Sequence, residues 1–334
     1  MAAARPEWLK LTGETPLEPA LPICDPHHHF WDRAEERYLV EELLQDVRSG
    51  HHIVSTVFIE CRERWRTDGP EEMRPVGETE FVERIVGPQG KYGETAVAAG
   101  IVGFADLSAG AAVAPVLEAH LAASPKRFRG IRHSCTWDAS AAVKTATPGI
   151  PRGLMLDSGF RAGLACLGRY GLSFEAWLYH PQLPEFAALA RAVPGVPMIL
   201  NHVGGLLGVG PYAGKRDEVF QVWKRGIAEV AACPNVVVKL GGLGMVRCGY
   251  NWHMRPTPPD STALMQATAP YYLYCIEQFG PKRCMFESNF PVDKISCAYG
   301  VLWNSFKRMT IDFSPAERAA LFHDTAARAY RLMS

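Results

Sequence analysis

The sequence predicts a single-domain α/β protein folded as a (β/α)8 TIM barrel behind an N-terminal arm, and three observations carry that prediction. Eight short β-rich runs alternate with longer stretches of helical apolar spacing, the pattern of parallel strands joined by crossovers. The chain has 334 residues, and one barrel commonly takes about 250 residues or more. Polar, titratable residues stand at the carboxyl end of nearly every proposed strand, where a strand buried on both faces would otherwise stay apolar.

The strands are expected at 23–29, 53–60, 98–106, 130–134, 172–180, 197–202, 235–240 and 283–289. The clearest helices by apolar periodicity are 111–122, 183–192, 219–232 and 264–279. The last helix opens at Ser314-Pro-Ala-Glu317, a capping box with proline in the first turn. No Gly/Ser linker, composition break or internal repeat divides the chain, so residues 23–334 are read as one barrel and 1–22 as an arm. Long loops interrupt the alternation at 62–77, after the second strand, and at 241–260, after the seventh. On a barrel both overhang the same face, and loops of that length are usually functional or disordered.

Composition excludes several classes. Hydrophobic residues make up 48% and charged residues 21%, with 35 basic side chains against 35 acidic, so no net charge favours nucleic acid or an anionic membrane as partner. No apolar run is long enough to span a bilayer. Residues 1–22 lack the apolar stretch of a signal peptide, which predicts a cytoplasmic protein. The nine cysteines are scattered, never spaced C-x-x-C, and read as reduced thiols rather than a disulfide framework or zinc knuckle. None adjoins a His or Lys that would activate it.

The first strand ends Asp25-Pro-His27-His28-His29. Strict alternation places Asp25, His27 and His29 on one face and His28 on the other. Two imidazoles one strand-step apart can converge on a metal ion or an oxyanion; a His-rich turn or a satisfied buried pair is the plainer alternative. Later strands deliver Glu60, Asp106, Arg132 with His133, His180, Asn201 with His202, Lys239, and Glu287 with Asn289. Counting faces puts His180 in phase with Leu178 and Ala176, His202 with Leu200 and Met198, and Lys239 with Val237. Glu287 is expected one layer deeper than Asn289, and a Glu287–Lys239 ion pair stands beside a catalytic role for both.

The segments Asp25-x-His27-x-His29-Phe-Trp-Asp32, His180-Pro-Gln-Leu183, Leu200-Asn-His202-Val-Gly-Gly205 and Met285-Phe-Glu-Ser-Asn-Phe-Pro291, in that order, resemble the amidohydrolase superfamily. The nearest branch contains 2-pyrone-4,6-dicarboxylate lactonase and the sugar-acid lactonases. The resemblance implies that His27 and His29 bind a divalent metal, zinc first, with metal-independent catalysis as the alternative. It implies that His180 and His202 ligate a second metal or contact substrate, and that Arg132 holds a substrate carboxylate. The branch usually reads Gly-Ser-Asp-x-Pro on the eighth strand, with the Asp as metal ligand and general base. Asn289 stands there instead, and a neutral amide cannot accept water's proton. Glu287, His180 and Glu60 are then the candidate bases.

The reading is a hydrolase that opens a lactone, or similar cyclic ester, of a small carboxylate-bearing molecule. His180, His202 and Lys239 would polarise the carbonyl and hold the oxyanion, Arg132 would orient the carboxylate, and His133, Glu60, His253 and Arg255 would line or close over the substrate. A metal-dependent decarboxylase of an aromatic acid and a non-catalytic ligand-binding barrel are the rivals. A small anionic substrate is the expected partner, and a homo-oligomer is compatible with the sequence.

Overall fold

The computed structural model describes residues 5–332 apart from Glu35, Lys144 and Ala146. Among the described residues, eight parallel strands form the barrel: β1 (Pro22–His28), β2 (His52–Ile59), β3 (Thr95–Gly103), β4 (Phe128–Ser134), β5 (Ser173–Trp177), β6 (Met198–Leu200), β7 (Val236–Leu240) and β8 (Cys284–Phe286). Each pairs in parallel with the next in chain order. The seam between β8 and β1 is joined by a parallel bridge from His28 to Phe290. There Asn289 N–H donates to the His27 carbonyl (3.0 Å), and His29 N–H donates to the Phe290 carbonyl (2.8 Å).

A helix follows every strand: α1 (Val40–Val47), α2 (Val76–Val86), α3 (Ala114–Ala123), α4 (Ser158–Arg169), α5 (Leu183–Ala192), α6 (Arg216–Ala231), α7 (Ser261–Phe279) and α8 (Tyr299–Met309). The fold is thus the (β/α)8 TIM barrel that the alternation predicts. Local chemistry sets several starts: Asp157 caps α4 at Phe160 N–H, and Asp260 caps α7 at Ala263 N–H. The Ser314–Glu317 capping box forms as expected, at the start of a short helix (Pro315–Ala319). Among the described residues no helix is long and apolar enough to cross a membrane.

The large apolar core lies between strands and helices. A second, smaller cluster fills the barrel: Cys24, Val57, Ile59, Val102, Ile199 and Met285 meet Ala326 and Tyr330, so the segment after α8 plugs the barrel interior. Residues 5–18 lie outside the barrel as a strap. Trp8 Nε1 donates to the Arg255 carbonyl (3.0 Å), Glu14 accepts from Ser261 N–H (2.7 Å) and Asn304 Nδ2 (2.9 Å), and Lys307 Nζ donates to the carbonyl of Leu17 (2.8 Å).

Two departures from regular strand geometry aim the functional residues. The register of β1 against β2 slips between Asp25 and His28, and such a bulge switches the side-chain phase. Asp25 therefore does not share a face with His27: its carboxylate takes Ser288 N–H (3.0 Å) and the Tyr299 hydroxyl (2.9 Å) from α8. The second departure follows β6, where His202, Val203, Gly204 and Gly205 all have positive φ (53°, 48°, 77° and 61°). The inward residue of β6 is Ile199, not Leu200 or Met198, so plain alternation would send His202 outward. The left-handed turn brings it back over the barrel, at a cost of roughly 1–2 kcal/mol for each non-glycine residue in it. Trp223 Nε1 braces the turn by donating to the Val203 carbonyl (2.7 Å).

Candidate active site

A buried carboxyl stands at the centre of the polar cluster. Glu287 follows directly on β8, and its two oxygens lie 2.6 Å from His202 Nδ1 and 2.8 Å from His27 Nδ1. Only the first contact has hydrogen-bond geometry, so Oε2 is left without a hydrogen-bond partner. Gly241 and Gly242 make room: a Cβ at Gly241 would meet Glu287 Cγ at 2.3 Å, and one at Gly242 would meet His202 Cγ at 2.5 Å.

His27 is the hub. Its ring lies 4.9 Å from that of His29 and 4.5 Å from that of His202, centroid to centroid. His29 Nδ1 sits 2.7 Å from the Ile59 carbonyl, which places its proton there and leaves Nε2 as a lone pair, 3.3 Å from His27 Nε2. Two cations flank the hub. Lys239 Nζ approaches His27 Nδ1 at 3.1 Å, and Arg132 Nη1 approaches His27 Nε2 at 3.3 Å. Burial, reinforced by these positive neighbours, holds the pKa of His27, His29 and His202 well below the usual histidine value. All three are neutral imidazoles at pH 7.

Neither cation is free. Arg132 Nε donates to Glu60 Oε1 (2.8 Å), and its Nη2 donates to the Glu60 carbonyl, so every guanidinium nitrogen has a neighbour in the protein. Lys239 pairs with Glu175 Oε2 (2.8 Å), not with Glu287 as the strand order suggested. Glu175 lies mid-strand in β5 and is the register partner of the inward Ile199. Its other oxygen accepts from the Tyr330 hydroxyl. Tyr330, Glu175, Lys239 and His27 thus form a continuous polar column inside the barrel. Glu175 escaped sequence reasoning, although a lone acid in the run Ser173-Phe-Glu-Ala-Trp177 was a usable signal.

The remaining sequence candidates sit elsewhere. His180 is in phase with the outward side of β5 and opens a turn beyond it; its ring packs on Tyr212 (5.1 Å), and burial lowers its pKa to about 4. It makes no hydrogen bond, ion pair or ring contact with His27, His29 or His202 among the described residues. His133, next to the inward Arg132, faces the helix layer, where it meets Phe104 and Phe160 and its Nδ1 accepts from Leu107 N–H (3.3 Å). Glu60 is the partner of Arg132. The carbonyls of His253 and Arg255 hold Arg5 and Trp8 of the strap, which ties this stretch to the N-terminal segment. Arg247, earlier in the same loop, was not singled out; its guanidinium lies over Trp177 (5.4 Å), whose ring edge meets His202 (4.9 Å).

Asn289 does not complete the cluster. Its amide Nδ2 donates to Asp293 Oδ1 (2.8 Å), and Asp293 Oδ2 takes Gly244 N–H (2.9 Å). Asp293 therefore clasps the end of β8 to the loop after β7. Burial pushes its pKa up from 3.8 to about 8. Because the folded state binds this proton more tightly than the unfolded chain, the clasp loses stability as pH rises from about 4 to about 8. Asp293→Asn is expected to flatten that dependence, gaining at least about 2 °C in Tm relative to wild type at pH 9 compared with pH 5. Parallel pH profiles of Tm for the two proteins would disprove the assignment.

Asn201, at the inward phase of β6, is fully buried, and both amide atoms lack a partner among the described residues. Asn201→Leu removes two desolvated polar groups and is expected to stabilise the fold by about 1 kcal/mol or more. A lower Tm in thermal melts would mean that the amide is satisfied by ordered water.

The donor set suits a divalent ion. One ligand atom each from His27, His202 and Glu287 lies within 4.8 Å of the others, giving two neutral imidazoles and a carboxylate, the donors of zinc-type sites. The unbonded Oε2 of Glu287 adds a lone pair with no proton aimed at it. His29, paired with His27 on sequence grounds, lies outside this group of three.

A family described as Amidohydrolase matches residues 24–332. An uncharacterised protein of Sinorhizobium fredii is 33% identical over 93% of this chain and 98% of its own length. An L-fucono-1,5-lactonase of Burkholderia ambifaria is 27% identical over 92% of this chain and 95% of its own. The crystal structure of a Burkholderia multivorans amidohydrolase with bound zinc superposes with a TM-score of 0.71 at 24% identity, over 93% of this chain and 99% of that one.

Proposed function

This chain belongs to the amidohydrolase family, and from that premise we propose that it is a lactonase, opening a lactone or similar cyclic ester of a small molecule by water attack at the mouth of the barrel. The observation that carries this reading is the buried Glu287 carboxyl shared between His27 and His202 and flanked by cations. The curated L-fucono-1,5-lactonase relative supports a sugar-acid lactone as the substrate class. The nine free cysteines, eight of them buried, support a reducing compartment, the cytoplasm.

His27, His202 and Glu287 would hold one divalent ion, with zinc the first choice for these donors. When bound, such an ion polarises a carbonyl and lowers the pKa of water. The chain's own residues do the rest. Glu287 in its ionised form, whose share grows as pH rises toward the raised pKa of about 8 that burial gives it, accepts the proton of the attacking water while the new carbon–oxygen bond forms. Arg132 and Lys239 keep positive potential around His27, where negative charge on the former carbonyl oxygen is stabilised. Collapse of the tetrahedral adduct breaks the ring carbon–oxygen bond, and the proton held on Glu287 passes to the departing alkoxide. The product is an open hydroxy acid, which releases one proton to solvent at neutral pH.

Proton release from L-fucono-1,5-lactone and a sugar-acid γ-lactone, followed with a pH indicator, tests the reading. One proton per ring opened is expected, well above the spontaneous rate, with no carbon dioxide from a hydroxybenzoate panel. Carbon dioxide release from an aromatic acid would move the chain to the lyase reading, and inertness toward every lactone would defeat the proposal.

A further inference from the structure

His202 reaches the other metal donors only because the chain turns left-handed after β6. His202 and Val203 hold φ of 53° and 48°, and Gly204 and Gly205 follow at 77° and 61°. Glycine enters that region freely, whereas a β-branched residue such as Val203 is a rare occupant of it. Released from its surroundings, the His202–Val203 pair would relax toward extended backbone and carry the imidazole to the outward phase of a regular strand. The turn instead delivers the ring 2.6 Å from Glu287 Oε1 and 4.5 Å, centroid to centroid, from His27.

Part of the restraint is steric. A Cβ at Gly205 would meet the Leu178 carbonyl at 1.9 Å, and one at Gly204 would meet Leu183 Cδ2 at 2.7 Å, so the turn is seated tightly against the end of β5 and the start of α5. Direction comes from hydrogen bonds. Gly204 N–H donates to the Asn201 carbonyl (2.9 Å), and the indole N–H of Trp223, on α6, donates to the Val203 carbonyl (2.7 Å). Trp223 is fully buried. Its ring stacks on Phe220 (5.6 Å) and meets Tyr271 (5.2 Å) and Tyr274 (5.7 Å) of α7. Such packing asks only for a large apolar ring. The indole adds one polar group that needs a partner once buried, and that partner is the carbonyl next in the chain to His202.

We propose that Trp223 is a positioning residue for the metal ligand His202: its N–H fixes the Val203 peptide, so that the imidazole stands in place before the ion arrives. A ligand held in place beforehand loses little freedom on binding, and the preorganisation appears as affinity. Groups that orient a ligand commonly change metal affinity by about 10- to 100-fold. The assignment rests on the reading in which His27, His202 and Glu287 hold a divalent ion. It extends that site to a helix residue that touches none of the three donors, acting on the backbone that carries one of them.

Zinc titration of the metal-free full chain against a chromophoric chelator, with no substrate present, tests it. Trp223→Phe keeps a buried aromatic ring and deletes the donor; it is expected to weaken zinc binding by about 10-fold or more. His202→Ala provides the arm that separates positioning from general loosening of the fold. With the imidazole gone there is nothing left to position, so adding Trp223→Phe to His202→Ala is expected to leave the residual zinc affinity unchanged. Thermal melts of the metal-free variants report folding. If phenylalanine unfolds the chain, β-(3-benzothienyl)alanine at position 223, an indole-shaped ring with sulfur in place of N–H, takes its place in the same titrations. Wild-type zinc affinity in the folded donor-less protein overturns the assignment, as does an equal fractional loss in the His202→Ala background. A wild-type protein that binds no zinc overturns the metal reading itself and the assignment with it.

Discussion

Glu287→Gln is expected to fold and to lose between about two and four orders of magnitude in kcat/KM for a lactone, the usual contribution of a positioned general base. The substitution keeps the size of the side chain and removes its ability to ionise, so no carboxylate can form between His27 and His202. Zinc retained after dialysis, read by atomic absorption, should fall with it, because the group of three donors becomes two. Stability should move the other way. Burial raises the Glu287 pKa from 4.5 to about 8, so the buried acid weakens the fold progressively as pH rises through that window. The glutamine does not titrate, and its Tm at pH 8 should at least equal that of the wild type. A folded Glu287→Gln protein with full activity would exclude Glu287 as the base.

The second large effect is on the fold. Lys239→Met should destabilise the protein by about 3–5 kcal/mol, the usual result of leaving one member of a buried ion pair behind. Lys239 and Glu175 are both fully buried and 2.8 Å apart, and no other cation forms a salt bridge with Glu175 among the described residues. Combining Lys239→Met with Glu175→Gln should recover most of the lost stability, since the amide can still accept from the Tyr330 hydroxyl. Chemical denaturation of the single and double variants measures this directly. A double variant no more stable than Lys239→Met would show that Glu175 is not the charge Lys239 neutralises.

Much of this architecture was legible in the sequence, because a barrel announces itself by alternation and by polar strand ends. The positions of His27 and His29 at the end of the first strand, Glu60 after the second, Arg132 in the fourth, and the capping box at Ser314 follow from local chemistry. What failed was strict face counting. Asp25 and His202 lie where the backbone leaves the regular pleat, through a register slip in one case and a left-handed turn in the other, and alternation has no means of anticipating either. The ion pairing failed for a different reason. Lys239 chose an acid two strands away, across the barrel interior, over the one on the adjacent strand, a choice set by closure of the sheet in three dimensions. Asn289 likewise looked like a vacated catalytic position until Asp293, four residues on, proved to be its partner.

The plug that closes the barrel interior carries a consequence for how the protein comes together. Tyr330 meets Glu175 across 155 positions of chain, and the column it completes draws on β1, β5 and β7. Contacts so distant in sequence are rewarded only after the chain-closure entropy has been met. A half-barrel ending after β4 or beginning at β5 would hold some of these side chains but never the assembled set, so neither half alone could carry activity. Co-expressed halves would regain it only by docking along both open edges, with the segment at 326–330 seated inside.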